Sequence, residues 1–137
     1  MSTPISTLRT GLVAEHAAVY LLGVLASRTA PGALADALAD SYTAHRAVRD
    51  ALIERLSALG DATPPGAAPA YDLPAGLGTD SGVRAAALAI EQRACSGYGD
   101  QVAATTGADR VAAIGWLGAA AVRQLSFGGS PAELPGL

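Results

Sequence analysis

At 137 residues the chain has the length of one domain, enough to bury a single core but not two. Nine basic residues stand against twelve acidic ones, and the net charge of −3 leaves no electrostatic footprint for nucleic acid. Although 50% of the residues are hydrophobic, no run approaches the roughly 20 apolar positions of a bilayer span. The expectation is therefore a soluble, cytoplasmic domain with no membrane partner and no signal peptide, and its single cysteine, Cys95, excludes an internal disulfide.

Thr3 and Pro4 form a helix start, because threonine caps free amides and proline is preset for a first turn. Leu8, Leu12, Glu15, Val19, Leu22 and Ala26 then recur at three- and four-residue steps, the spacing of one buried helical face. This predicts a first helix over about 4–28, with an aliphatic stripe interrupted only by Glu15.

Pro31 and Gly32 separate it from a second stripe: Leu34, Leu38, Tyr42, His45, Val48, Leu52, Leu56 and Leu59. Gly60 supplies a left-handed stop, giving a helix over about 31–59. The short join makes these two helices an antiparallel hairpin.

Residues 60–79 carry Pro64, Pro65, Pro69 and Pro74 with Gly66, Gly76 and Gly78, which excludes a helix. An extended proline-rich chain advances about 3.1 Å per residue, so some 15 such residues reach roughly 45 Å. A helix of about 25 residues is only about 38 Å long. The segment can thus travel the full height of a bundle and start the next helix at the opposite end, pinned to the outside by Tyr71, Leu73 and Leu77.

Thr79, Asp80 and Ser81 open a third helix over about 80–106, with Val83, Ala87, Ile90, Glu91, Ala94, Tyr98 and Val102 on its stripe and Gly107 as its stop. A tight turn leads to a fourth helix over about 108–126, whose stripe is Val111, Ile114, Gly118, Ala121 and Leu125, with Trp116 on an adjacent face. The end, from Gly128 to Leu137, reads as a non-helical tail. Two hairpins joined by one long crossover, in a single all-α domain over 1–137, is the connectivity of a ferritin-like four-helix bundle.

Glu15, His45 and Glu91 each take an aliphatic position near mid-helix, so they converge inside the bundle at one level. A buried carboxylate must be bound by something. Metal is one partner: carboxylates and imidazole on facing helices are the ligands of di-iron and di-manganese bundles, with a Glu from each of two helices and a Glu-x-x-His pair from each of the others. Here Tyr42 stands where the glutamate of the pair ending in His45 belongs, the fourth helix offers only Gly115-Trp116-Leu117-Gly118 at mid-height, and Asp109 at its start is a capping residue. Arginine is the other partner. Arg49, one turn beyond His45, and Arg46 bring guanidinium forks, and Asp50 or Tyr98 completes a network. The preferred reading is a buried polar network of Glu15, His45, Arg49, Asp50 and Glu91 with no cofactor. The alternative is a reduced site for iron or manganese on Glu15, His45 and Glu91, with His16, Tyr42 and Tyr98 around it. A weaker option is a small-ligand pocket beside Trp116, and Gly115 and Gly118 allow close approach of another helix, within the bundle or across a dimer.

Several stretches together are similar to a known family: Glu15-His16-Ala17-Ala18-Val19-Tyr20 with Gly23-Val24-Leu25, His45 through Leu52, Ala70-Tyr71-Asp72-Leu73-Pro74, Leu88-Ala89 with Glu91, and Leu134-Pro135-Gly136-Leu137. In these the chain resembles the small actinobacterial ferritin-like domain proteins of unknown function, the DUF4439 family. The resemblance implies the ferritin-like bundle and self-association as a homodimer, and brings no activity. Phe127-Gly128-Gly129 departs from the family's aromatic-Arg-Gly ending.

Overall fold

In the computed structural model, which describes residues 3–136, Thr3 accepts the Ser6 amide at 3.1 Å and opens α1, Pro4–Ser27. Met1, Ser2 and Leu137, which belong to the expected domain and to its closing motif, lie outside the described residues. α2 is Ala33–Ala58, α3 is Asp80–Ala104 and α4 is Gly107–Ser126. Thr79 caps α3 by accepting the Gly82 amide at 3.1 Å. Gly60, at φ 89, takes the left-handed turn after α2. Gly107, at φ 58, opens α4 instead of closing α3, which ends where Thr105 turns extended.

Two core clusters fix the topology. Leu22 and Leu25, late in α1, pack with Leu38 from early α2, with Val83, Ala87 and Ile90 from early α3, and with Phe127 just past α4. Leu8 and Leu12, early in α1, pack with Val48, Leu52 and Leu56 from late α2, with Cys95 and Tyr98 from α3, and with Ala120 of α4. So α1 is antiparallel to both α2 and α3, α3 is antiparallel to α4, and α2 and α3 run the same way. Leu12, Leu22, Leu38, Leu52 and Leu56 have no exposed surface, and burying each side chain of this kind contributes about 1.5–3 kcal/mol. Parallel α2 and α3 require the segment between them to climb the bundle.

That climb follows one face of α1. Arg9 pairs with Asp61 and donates to the Thr63 carbonyl at 3.0 Å, His16 Nε2 lies 2.9 Å from the Pro65 carbonyl, and Tyr20 stacks on Tyr71 at 5.1 Å between ring centroids. Positions 9, 16 and 20 share a helical face, so their partners at 61–63, 65 and 71 rise in step with α1. Leu77 then drops into the upper core. Leu73, expected to pin the segment, is exposed, and the pinning falls to Tyr71 against Tyr20 and to Leu77 in the core.

α1 corrects one expectation from the sequence. By length and composition it is apolar enough to cross a membrane, with mean hydropathy 1.4 over 18 residues. In the fold it carries Leu8, Leu12, Leu22 and Leu25 into the core, together with the carboxylate of Glu15.

α4 corrects another. The stripe of Val111, Ile114 and Leu125 faces solvent, and the buried positions are Ala113 and Ala120. The helix is apolar on two opposite faces, so periodicity alone does not decide which one packs. On α3 the buried face is likewise turned slightly, so that Cys95 and Gln101 are buried instead of Ala94 and Val102.

Candidate functional site

Between the two core clusters lies a polar layer supplied by all four helices. Glu15 occupies the mid-point of the α1 stripe. Ser41 and His45, one turn apart, share a face of α2, and Glu91 and Tyr98, one heptad apart, share a face of α3. Arg123 enters from α4.

His45 bridges the two carboxylates, donating from Nδ1 to Glu15 Oε2 at 2.6 Å and from Nε2 to Glu91 Oε1 at 2.8 Å. The Tyr98 hydroxyl donates to Glu15 Oε1, and the Ser41 hydroxyl donates to Glu91 Oε1. Arg123 Nη2 lies 3.2 Å from Glu91 Oε2. Ser41, His45 and Glu91 have no exposed surface, and Glu15 is only 3% exposed.

The protonation states follow from this geometry. Each ring nitrogen of His45 faces a carboxylate oxygen, an acceptor, so both must carry protons. Burial alone pushes the imidazole down, but its hydrogen bonds to Glu15 and Glu91 and their charges prevail and raise it to about 9. Burial pushes Glu91 up. The hydrogen bond and charge of His45, with Arg123 and Ser41, outweigh that and hold it below its ordinary value. Burial, reinforced by the Glu15 charge, raises the Tyr98 phenol, which stays a donor. Two carboxylates, one imidazolium and one guanidinium sum to zero: the layer is neutral without any other ion.

This arrangement answers whether the residues fit a metal. Both nitrogens of His45 and both oxygens of Glu15 are engaged, and Glu91 presents its remaining oxygen to Arg123. Among the described residues no group of three or more His, Cys, Asp or Glu side chains is disposed to hold a metal ion. A cation would meet an imidazolium and a guanidinium where it needs lone pairs, so the donor set as built does not fit one.

The structure thus brings Glu15, His45, Glu91 and Tyr98 together and leaves four expected residues out. Arg49 donates to its neighbour Asp50 at 2.9 Å, with Asp50's side chain 64% exposed. That pair commits the Arg49 guanidinium away from the two buried carboxylates. Tyr42 lies beneath Arg46, whose guanidinium is 5.5 Å from the ring centroid. His16, roughly 100° from Glu15, serves the crossover. Two residues were missed. Ser41 was readable as the polar residue one turn before His45 on the same stripe. Arg123 was not, because the periodicity of α4 favours the face of Val111, Ile114 and Leu125 over the one that Arg123 shares with Trp116 and Ala120.

Two cavities adjoin the layer and the lower core. One of about 270 Å³ lies between α1 and α3, walled by Ala14, Ala17, Ala18 and Ala94, and reaches Glu15 and His45. A smaller one of about 180 Å³ lies beside Trp116 against Leu8 and Leu52.

Fold and layer together define an all-α four-helix bundle protein with a buried, charge-balanced centre. The chain belongs to the family described as Domain of unknown function (DUF4439), whose model matches residues 7–137. It is similar to a solved structure titled as a conserved hypothetical protein, rv2844, from Mycobacterium tuberculosis, with 30% identity and a TM-score of 0.83 over 91% of this chain and 94% of that one. No curated protein matches.

Proposed function

We propose that the chain is a non-enzymatic helical-bundle protein of the ferritin-like type, in which a closed charge network stands where related bundles hold a di-metal centre. Its work is binding or scaffolding, and we assign it to the cytoplasm. One observation carries the reading: His45 spends both ring nitrogens on Glu15 and Glu91, and Arg123 completes neutrality. A layer that is charge-balanced, with both imidazole nitrogens spent and its one unbonded carboxylate oxygen, Glu91 Oε2, facing Arg123, leaves no free general base with which to activate a substrate. Its role is to fix the register of four helices, as buried polar groups do where mismatched pairings would strand a charge.

Metal analysis of protein purified without chelator tests this. The expected result is no stoichiometric metal in the wild type. Stoichiometric iron, manganese or zinc that disappears in Glu91→Ala would overturn it in favour of the metal-handling alternative. An absorbance change with ferrous iron and oxygen that requires His45 would do the same.

A further inference from the structure

The outer face of α4 is apolar and is not covered by any of the described residues. Val111, Ile114, Val122 and Leu125 are 70%, 52%, 65% and 47% exposed. With Gly115 and Gly118 they fall within roughly a 100° arc of the helix, opposite the buried Ala113 and Ala120. α4 thus turns its alanines inward and its larger aliphatics outward. Its charged residues are all engaged elsewhere: Asp109 with Arg55, Arg110 with the Val102 carbonyl and Arg123 with Glu91.

The glycines add a second observation. A Cβ on Gly115 or Gly118 would meet nothing within 4 Å in the protomer. Glycine inside a helix is unfavourable relative to alanine, and nothing among the described residues requires it at either place. Close approach of another helix does.

We infer that this face seats a second copy of the chain, the two α4 helices running antiparallel about a twofold axis at Gly118. Reversing the stripe about that point sets Val111 against Leu125, Ile114 against Val122, Gly115 against Ala121 and Gly118 against itself. The sequence is therefore self-complementary: bulky pairs at both ends flank a flat centre, as an isologous interface requires. The area is that of a small interface. Four large side chains at these exposures leave a few hundred Å² of contiguous apolar surface, the size of the largest patch on a soluble monomer. Two such faces, with their flanking alanines, approach the ~1,000 Å² total of a stable interface. A lipid surface is the poorer occupant, because no arginine borders the stripe free to meet headgroups.

Sedimentation of the full chain at micromolar concentration tests the inference, and a dimer is expected. Val122→Arg places a charge at the seam and should weaken the dimer at least ~100-fold with helicity unchanged, since it would strand a buried charge. The register is read by cysteines, because Cys95 is buried and does not compete. Under oxidation Gly118→Cys should form a covalent dimer, and Val111→Cys should cross-link to Leu125→Cys and not to itself. Should Val122→Arg fail to fold, the cross-links decide alone. A wild-type monomer, a monomer that co-sediments with anionic vesicles, a dimer unaffected by Val122→Arg, or self-linking of Val111→Cys without the mixed product would each overturn it.

Discussion

Arg123 of α4 places Nη2 3.2 Å from Oε2 of Glu91 on α3, and this contact supplies the second positive charge of the buried layer. Glu91 has no exposed surface, and the Arg123 side chain is 16% exposed. Removing the guanidinium leaves two carboxylates facing one imidazolium. Arg123→Ala should therefore destabilise the fold by about 3–5 kcal/mol, the effect of stranding a buried charge. Arg49→Ala, which removes only a pair with the exposed Asp50, should change stability by less than about 1 kcal/mol. Denaturant melts of the two variants decide, and equal effects would show that α4 does not close the network.

The same layer gives stability a defined pH dependence. His45 is raised from 6.5 to about 9 on folding, so its contribution is complete below pH 6.5 and is lost as pH rises through about 9. A shift of that size corresponds to about 3 kcal/mol. Glu91 is lowered from 4.5, so its contribution is present above that value and is lost as pH falls through its folded pKa. Stability should peak between pH 4.5 and 6.5 and decline toward pH 10. Cys95 and Tyr98, both raised on folding from 9.0 and 10.0, add their own losses as pH rises through those values. Unfolding free energies measured between pH 6.5 and 9 should therefore show the decline in wild type and not in His45→Gln.

Much of this was legible in the sequence because single-faced helices announce their burial. The stripes of α1 and α2 placed Glu15 and His45 correctly, and the proline-rich segment after Gly60 gave away the climb. α4 resisted for a physical reason: with aliphatics on two opposite faces, its periodicity fits either orientation. With the outer face read as the buried one Arg123 stays hidden, and Arg49 stands out as the arginine one turn from His45, although its guanidinium turns to the exposed Asp50. His16 next to Glu15 was misleading in the same way, since adjacent helical residues diverge.

Tyr98 offers a narrower test of the layer. Its hydroxyl donates to Glu15 Oε1, while its ring packs on Trp116 at 5.9 Å between centroids. Tyr98→Phe keeps the ring and removes only the donor. A buried carboxylate oxygen without its partner should be destabilising by about 1–3 kcal/mol. Adding Trp116→Phe should not alter that difference, so a thermodynamic cycle with the second substitution separates hydrogen bond from packing. A variant as stable as wild type would remove Tyr98 from the network.

Gly82, in the first turn of α3, marks where the crossover docks. A Cβ built there would collide with the Gly76 carbonyl oxygen. Both partners are backbone, so neither can swing aside as a long side chain would, and either α3's first turn or the end of the crossover must move. Displacing residue 76 pulls on Leu77, which is buried in the upper core beside Val83 and Phe127. Gly82→Ala should therefore lower stability by about 1–3 kcal/mol, despite alanine's better helix propensity. It should also expose the crossover to chymotrypsin at Tyr71 and Leu73. Gly78→Ala is the control, since a Cβ there meets nothing within 4 Å, and it should be cut no faster than wild type. Wild-type melting and cleavage of Gly82→Ala would show that the crossover is not held at this point.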